Sequence, residues 1–369
     1  MMATIEPYDT SKGRRYRVRY RKPDRTQTDK RGFRTKRDAE LFLASVEVSK
    51  ARGEFIDATA SKATIGELGV GWLSRQTHLK PSSYRPVESG WRIHVLPRWG
   101  SVAVADVRRT DVQQWVSDLG QGGKGATTVI RAYGILAAIL DDAVADRRAL
   151  SNPARGVTLP RKTKKPHVYL SHEQVHSLAA ASKYPALVLV LAYCGLRWGE
   201  ATGLRVKHVD FLRRRFMIEE NAVQVGSIIE VGTPKNHKKR TVPFPRFLAE
   251  GLARQCEGKG RDDLVFPGEN GHHLRLARVH EDNMSWFASA VKRSGVPRIT
   301  PHDLRHSAAS FAVSAGANVK AVQKMLGHSS AAMTLDVYAD LFDGDLDAVS
   351  DALDNAVSQA SVGKMWANT

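Results

Sequence analysis

Residues 300–309 read TPHDLRHSAA, a helix start that carries chemistry on its first turn. Thr300 is placed to cap the helix, Pro301 suits its first position, and Asp303 completes a capping-box pattern. His302 and Arg305 are three apart and share one face of that helix. His302 and His306 superficially resemble the HExxH zinc helix. The second residue is Asp rather than Glu, a third ligand is not evident, and Arg305 would repel a cation. A zinc hydrolase is therefore set aside. Downstream, the helix should end near Gly316, and a second over 318–326 should stop at Gly327 in a left-handed cap. His328 follows at once, in LGHSSAAMTLDVYADL (326–341), and Tyr338 falls in a run that looks helical. Upstream lie CGLRWGE (194–200) and TPKNHKKRTVPFP (233–245). IIEVGTPKNHKKRTVPF reads as two short strands around a polar turn with Lys235 near its tip, and Lys238 and Lys239 compete with it. Taken singly, each group has a plain reading: Arg197 as a surface residue, His328 as a helix-end cap, Tyr338 as core.

In this order the four stretches resemble the catalytic domain of the tyrosine recombinase (phage integrase) family. The resemblance spans residues 166–342 and assigns Arg197, Lys235, His302, Arg305, His328 and Tyr338 as catalytic, with Glu200 supporting them. It implies that Tyr338 attacks a DNA phosphodiester and stores the bond energy as a 3′-phosphotyrosine, so religation needs no ATP. Arg197 and Arg305 would grip the non-bridging oxygens, where charge builds in the transition state. Lys235 would protonate the departing 5′ oxygen, His302 would accept or position the tyrosine proton, and His328 would hydrogen-bond the phosphate. No metal and no cofactor is implied. A DNA-binding regulator that had lost catalysis would tolerate a broken series, and none of the six positions is broken here. A type IB topoisomerase shares the chemistry, but the basic N-terminal domain favours recombination.

Composition agrees with a DNA partner. The chain of 369 residues is long enough for two or three domains, and its net charge of +18 with a pI near 10.0 suits a phosphate-rich ligand. No membrane segment is expected, since the longest apolar run, 186–194, is too short to span and reads as a buried helix. The start, MMATIEPYDT, lacks the pattern of a signal peptide, and Cys194 and Cys256 offer neither a disulfide framework nor metal spacing. The cytoplasm of a bacterial host is the expected setting.

Between Lys12 and Arg37 stand 13 Lys or Arg against Asp24 and Asp29. Arg15, Arg17, Arg19 and Arg21 alternate with Tyr16, Val18 and Tyr20, which predicts a strand with one arginine face and one apolar face. Short strands near 26–28 and 32–34 and a helix from Thr35, with Ala39, Leu41, Phe42, Val46 and Val48 inward, complete a three-stranded sheet plus helix over 1–57. With Arg14 and Arg34, these arginines are candidate DNA contacts. After a polar linker, helical patterns dominate 64–152, where Val129, Ala132, Tyr133, Leu136, Ile139 and Leu140 form one stripe and Arg131 lies outside it as a further DNA contact. GQGGKGATT (120–128) lacks the Lys-Ser/Thr of a nucleotide loop and reads as an interhelical connection. The linker SNPARGVTLPRKTKKPH (151–167) looks almost devoid of core residues, and its basic groups either follow a DNA backbone or merely solubilise.

The expected fold is thus α+β multidomain: a small sheet with one helix, a helical core-binding domain, and a mostly helical catalytic domain with a small β-hairpin. The tail, 343–369, reads as an amphipathic helix with an acidic face and, by the resemblance, docks a neighbouring protomer. Three domains of this kind resemble integrases that bind arm-type and core-type attachment sites on double-stranded DNA as homotetramers. A DNA-bending host factor and an excision factor are implied as partners. The abundance of Ala, Arg and Val hints at an actinobacterial phage.

Overall fold

The computed structural model describes residues 3–23, 25–56, 60–163, 166–233, 239–276 and 285–338, with 350–351, 353–355 and 357–358 of the tail. The chain divides into two compact units, residues 1–164 and 165–369. Among the described residues no helix is long and apolar enough to cross a membrane.

The first unit opens with an antiparallel sheet of β1 (Thr4–Thr10), β2 (Gly13–Arg21) and β3 (Gln27–Phe33), with β2 in the middle. The sequence reading missed β1, whose Pro7 and acidic residues weaken its strand signal. Proline is tolerated there because the strand lies at an edge. The two fragments expected near 26–28 and 32–34 belong to a single strand, β3, whose register shifts opposite Tyr16 and Arg17. Val18 is fully buried, and the Tyr20 ring meets Phe42 of α1 (Lys36–Ala51) at 5.9 Å, so α1 covers the apolar face. Thr35 caps α1 in a reciprocal box with Asp38. Ala39 and Val46 point inward, whereas Leu41 and Val48, expected inside, are exposed because positions seven apart on the other side miss the sheet.

The helical part of this unit runs through α2 (Ile65–Ser74), α3 (Pro81–Gly90), α4 (Leu96–Trp99), α5 (Arg109–Gln121) and α6 (Ala126–Ala145). A single π-turn, Trp91–Val95, joins α3 to α4. All six stripe residues of α6 are buried, and residues 122–125 form the short connection before it. The linker expected to lack core residues contributes to this core. Ala154 and Val157 are buried, the Tyr133 hydroxyl donates to the Ala154 carbonyl at 2.9 Å, and Arg155 pairs with Asp141.

The second unit is built around α8 (Pro185–Cys194), which is apolar on every side and buried among α7 (His172–Ala180), α10 (Ala249–Cys256) and α12 (Asp303–Ser314). Between them stand the short α9 (Trp198–Thr202) and five strands: β4 (Val209–Asp210), β5 (Arg215–Ile218), β6 (Asn221–Val225), β7 (Ile228–Gly232) and β8 (Arg240–Pro243). The expected hairpin around Lys235 is corrected here. β7 pairs with β6 and β8 pairs with β5, so the strands flanking Lys235 belong to two different sheets. Two strand-like runs in succession suggest a hairpin by default, and only long-range pairing reveals otherwise. Lys235 and Lys238 lie outside the described residues. Beyond α11 (Trp286–Ser294) and α12 come α13 (Val319–Leu326) and α14 (Ala331–Tyr338). Most of the tail falls outside the described residues; its Leu353 and Val357 are exposed.

Candidate active site

The site is assembled at the C-terminus of α13. Gly195 ends α8 at φ +62, a left-handed turn in which a Cβ would come within 2.7 Å of Leu326. That turn delivers Arg197 to the start of α9, where its Nη1 donates to Glu200 Oε1 at 2.8 Å and its Nη2 to the Gly327 carbonyl at 2.9 Å. Arg305, on α12 and only 3% exposed, donates to the carbonyls of Gly195 and Leu326. Arg240, from β8, reaches the Met325 carbonyl at 3.4 Å and holds both oxygens of Glu200 at 2.8 and 2.7 Å. Three guanidinium groups therefore meet three successive carbonyls at a helix C-terminus, where the dipole favours cations. Against them stands one carboxylate, so the cluster keeps a surplus of positive charge suited to a phosphate.

Burial and the Arg197 charge bring the Arg305 pKa down to about 9, which leaves it cationic at neutral pH. Burial opposes ionisation of Glu200, but hydrogen bonds from Arg240 and the Arg240 and Arg197 charges outweigh it and bring the pKa to about 2. Gly327 takes the expected left-handed cap, φ +65, and a Cβ there would fall 2.7 Å from Arg240 Nε. His328 follows, its Nδ1 hydrogen-bonded to the Thr334 hydroxyl at 3.0 Å. Burial, with Arg305 and Arg197 nearby, lowers the His328 pKa to about 4.

Tyr338 closes the cluster from α14. Its ring is 1% exposed and lies parallel to that of His328, with centroids 6.2 Å apart. Burial raises its phenol pKa to about 12, against the pull of Arg305. The hydroxyl is 2.8 Å from Nδ1 of His306, not from His302. His302 sits at the exposed mouth, just before α12, its ring 5.2 Å from that of His306. The helix begins two residues later than the expected Pro301 start. Asp303 nonetheless reaches back to the Thr300 N–H and hydroxyl at 2.6 and 2.8 Å. The tyrosine contact falls to His306 because positions 302 and 306 face the same side, and the later one lies deeper.

Arg197, Glu200, His302, Arg305, His328 and Tyr338 are thus brought together. The pattern of the phage integrase family matches residues 168–344. A protein of Mycobacterium tuberculosis named as a prophage phiRv2 integrase is 30% identical over 335 residues, covering 87% of this chain and 88% of that one. The chain belongs to the phage integrase family. The family's integrase of Mycobacterium phage L5 is 27% identical over 350 residues, covering 89% of this chain and 88% of the relative. In fold, the chain is similar to the Tn1549 transposon integrase, solved with a circular intermediate DNA. That likeness has a TM-score of 0.67 at 22% identity over 79% of this chain and 99% of that one. A lambda integrase dimer bound to a COC′ core site gives 0.58 at 16% identity, covering 90% and 93%.

Two residues of this family member's site were missed in the sequence. Arg240 looked like one more cation in a basic run, and only its place at the start of a strand set it apart. His306 carried a legible signal, four residues after His302, but was weighed only as a metal ligand. Lys239, a rival of Lys235, has its Nζ 3.2 Å from Glu219 in an exposed pair. Arg14 and Arg21 on the N-terminal sheet and Arg34 just after it are exposed, as is Arg131 on α6. The arginine face of β2 also carries acids: Arg17 and Arg19 both pair with Glu6 of β1.

Glu200→Ala tests the arginine cluster. Removing the one carboxylate leaves Arg197 and Arg240 facing each other, and breaking such a buried pair costs about 3 kcal/mol or more. Denaturant unfolding at neutral pH should show that loss. Because the folded pKa of about 2 lies below the ordinary 4.5, the Glu200 contribution is complete above 4.5 and fades as pH falls toward 2. The gap between wild type and variant should narrow across that window. A gap that stayed constant would mean that Glu200 carries no charge-linked stability.

Proposed function

We propose that this chain is a site-specific DNA recombinase that cuts and rejoins strands through a covalent bond to Tyr338, integrating and excising phage or mobile-element DNA. The observation that carries the reading is the convergence of one tyrosine hydroxyl, two histidines and two arginines with surplus positive charge around the α13 terminus. Arg197 and Arg305 grip the scissile phosphate, His302 and His328 complete its surroundings, and Tyr338 attacks phosphorus. Lys235 protonates the leaving 5′ oxygen. Membership of a family whose relatives are named integrases supports the same reaction.

The expected division of labour is an arm-site domain over 1–57, a core-site domain over 64–152, a catalytic domain over 166–342 and a docking tail over 343–369. Arg14, Arg15, Arg17, Arg19, Arg21, Arg34 and Arg131 contact double-stranded DNA in this scheme. The working form is a homotetramer on DNA in the bacterial cytoplasm, assisted by a DNA-bending host factor and an excision factor. A lambda integrase, similar in fold, has been solved as a tetramer on a Holliday junction.

The test is a nicked attachment-site substrate on which the cleaved end is lost, trapping the intermediate. A covalent protein–DNA adduct should form, and peptide mapping should find the nucleotide on Tyr338. Cleavage without any adduct would sink the proposal.

Deleting residues 1–57 should abolish arm-site binding and integration while leaving cleavage at isolated core sites. The deleted piece carries the densest basic strand, and the site described above lies wholly beyond it. Each lost phosphate contact should lower the slope of log affinity against log salt by about one. An arm-site footprint that survives the deletion would remove the assignment.

A further inference from the structure

We propose that His306 is the base that takes the phenol proton as Tyr338 attacks the scissile phosphate. The proposal rests on Tyr338 being the nucleophile and adds the destination of its proton. Three observations carry it. First, the contact is direct: His306 Nδ1 lies 2.8 Å from the Tyr338 hydroxyl, the reacting atom itself. Second, His302, Arg305 and His306 occupy positions i, i+3 and i+4 of the same helical face, so the imidazole looks into the cluster that holds the arginines. Third, His306 is buried at 8% exposure with its ring 4.1 Å from that of His167, which fixes its direction.

Burial, more than its charged and titratable neighbours, keeps this imidazole neutral. Burial lowers its pKa to about 4, His167 and His302 act in the same sense, Asp303 opposes them, and Arg305 adds a smaller lowering. A neutral imidazole with its proton on Nε2 leaves Nδ1 free to accept. With the phenol near 12, no proton moves in the resting protein. The transfer is driven by bond formation, because an oxygen that becomes an aryl phosphate ester loses its hold on the proton.

The step balances as follows. Tyr338 Oη forms a bond to phosphorus, the bond from phosphorus to the 5′ oxygen breaks, and the electron pair stays on that oxygen. The phenol proton passes to His306, giving an imidazolium. The 5′ oxygen takes a proton from its own donor, and religation runs both transfers backwards. Nothing is oxidised or reduced.

Two measurements on the full chain decide the matter. In the wild-type protein, nitrogen-15 spectra of labelled histidine should show Nδ1 of His306 bare and Nε2 protonated; a protonated Nδ1 overturns the proposal. In single-turnover cleavage of the nicked substrate, His306→Asn is the informative variant, since the Asn amide can still reach the hydroxyl but is not basic. Its adduct should form about 10²-fold more slowly, with DNA binding unchanged. Placing difluorotyrosine, a more acidic phenol, at position 338 should close most of that gap. An unchanged or faster rate would show that His306 merely holds or latches the tyrosine. A slow rate that the acidic phenol does not restore would show a structural role. Both results overturn the proposal. An adduct mapped to a residue other than Tyr338 would instead remove the reading of the nucleophile, so the two failures are distinguishable.

Discussion

Tyr338→Phe is expected to abolish the covalent adduct and all strand exchange while leaving affinity for the crossover site within a few-fold. The change deletes one oxygen and no positive charge, and phosphate contacts by Lys and Arg dominate DNA affinity. Phe keeps the ring that packs beside His328, so the core around α14 should survive. Among the described residues the loss is the hydrogen bond to His306, whose buried Nδ1 is left without that partner at a cost of about 1–3 kcal/mol. A gel assay for adduct on the nicked substrate, run beside a binding titration, separates the two properties. Adduct formation by the Phe variant would place the nucleophile elsewhere. A collapse of binding would show that the hydroxyl organises the DNA surface and not only the reaction.

Lys235→Ala carries the second large effect. If Lys235 protonates the departing 5′ oxygen, its loss forces an alkoxide to leave, and general acids of this kind contribute about 10² to 10⁴ in rate. Replacing the bridging 5′ oxygen with sulfur gives a leaving group that needs no proton. The variant should therefore be slow on normal DNA and nearly restored on the sulfur substrate. Arg197→Ala and Arg305→Ala should be restored much less, because their transition-state charge remains unmatched. Lys238→Ala and Lys239→Ala control for position, and the exposed pair of Lys239 with Glu219 makes it the weaker rival. Selective restoration of either rival would move the proton donor along the segment. Restoration of none would end the general-acid reading.

Local rules carried much of the architecture. The apolar run of α8, the stripe of α6, the Thr35 cap and the left-handed Gly327 each follow from contacts within a turn or two of helix, where neighbours in sequence are neighbours in space. Strand order was harder. β1 was hidden by Pro7, and the segments flanking Lys235 looked like a hairpin, although each pairs with a different sheet. Leu41 and Val48 of α1 were read as core because hydrophobicity alone does not say which side the sheet will cover.

By itself, the sequence determined the family, the order of the catalytic series and the pairing of His302 with Arg305 on one helical face, since these need only residue identity and helical period. Tertiary structure alone decided that Arg197, Arg240 and Arg305 meet at the carbonyls of 325–327, and that His306 meets the tyrosine hydroxyl. Those contacts join residues 21 to 130 positions apart. No local periodicity encodes such separations; they are set by how α8, α12, α13, α14 and β8 pack together in two adjoining clusters, where close packing admits only certain side-chain arrangements.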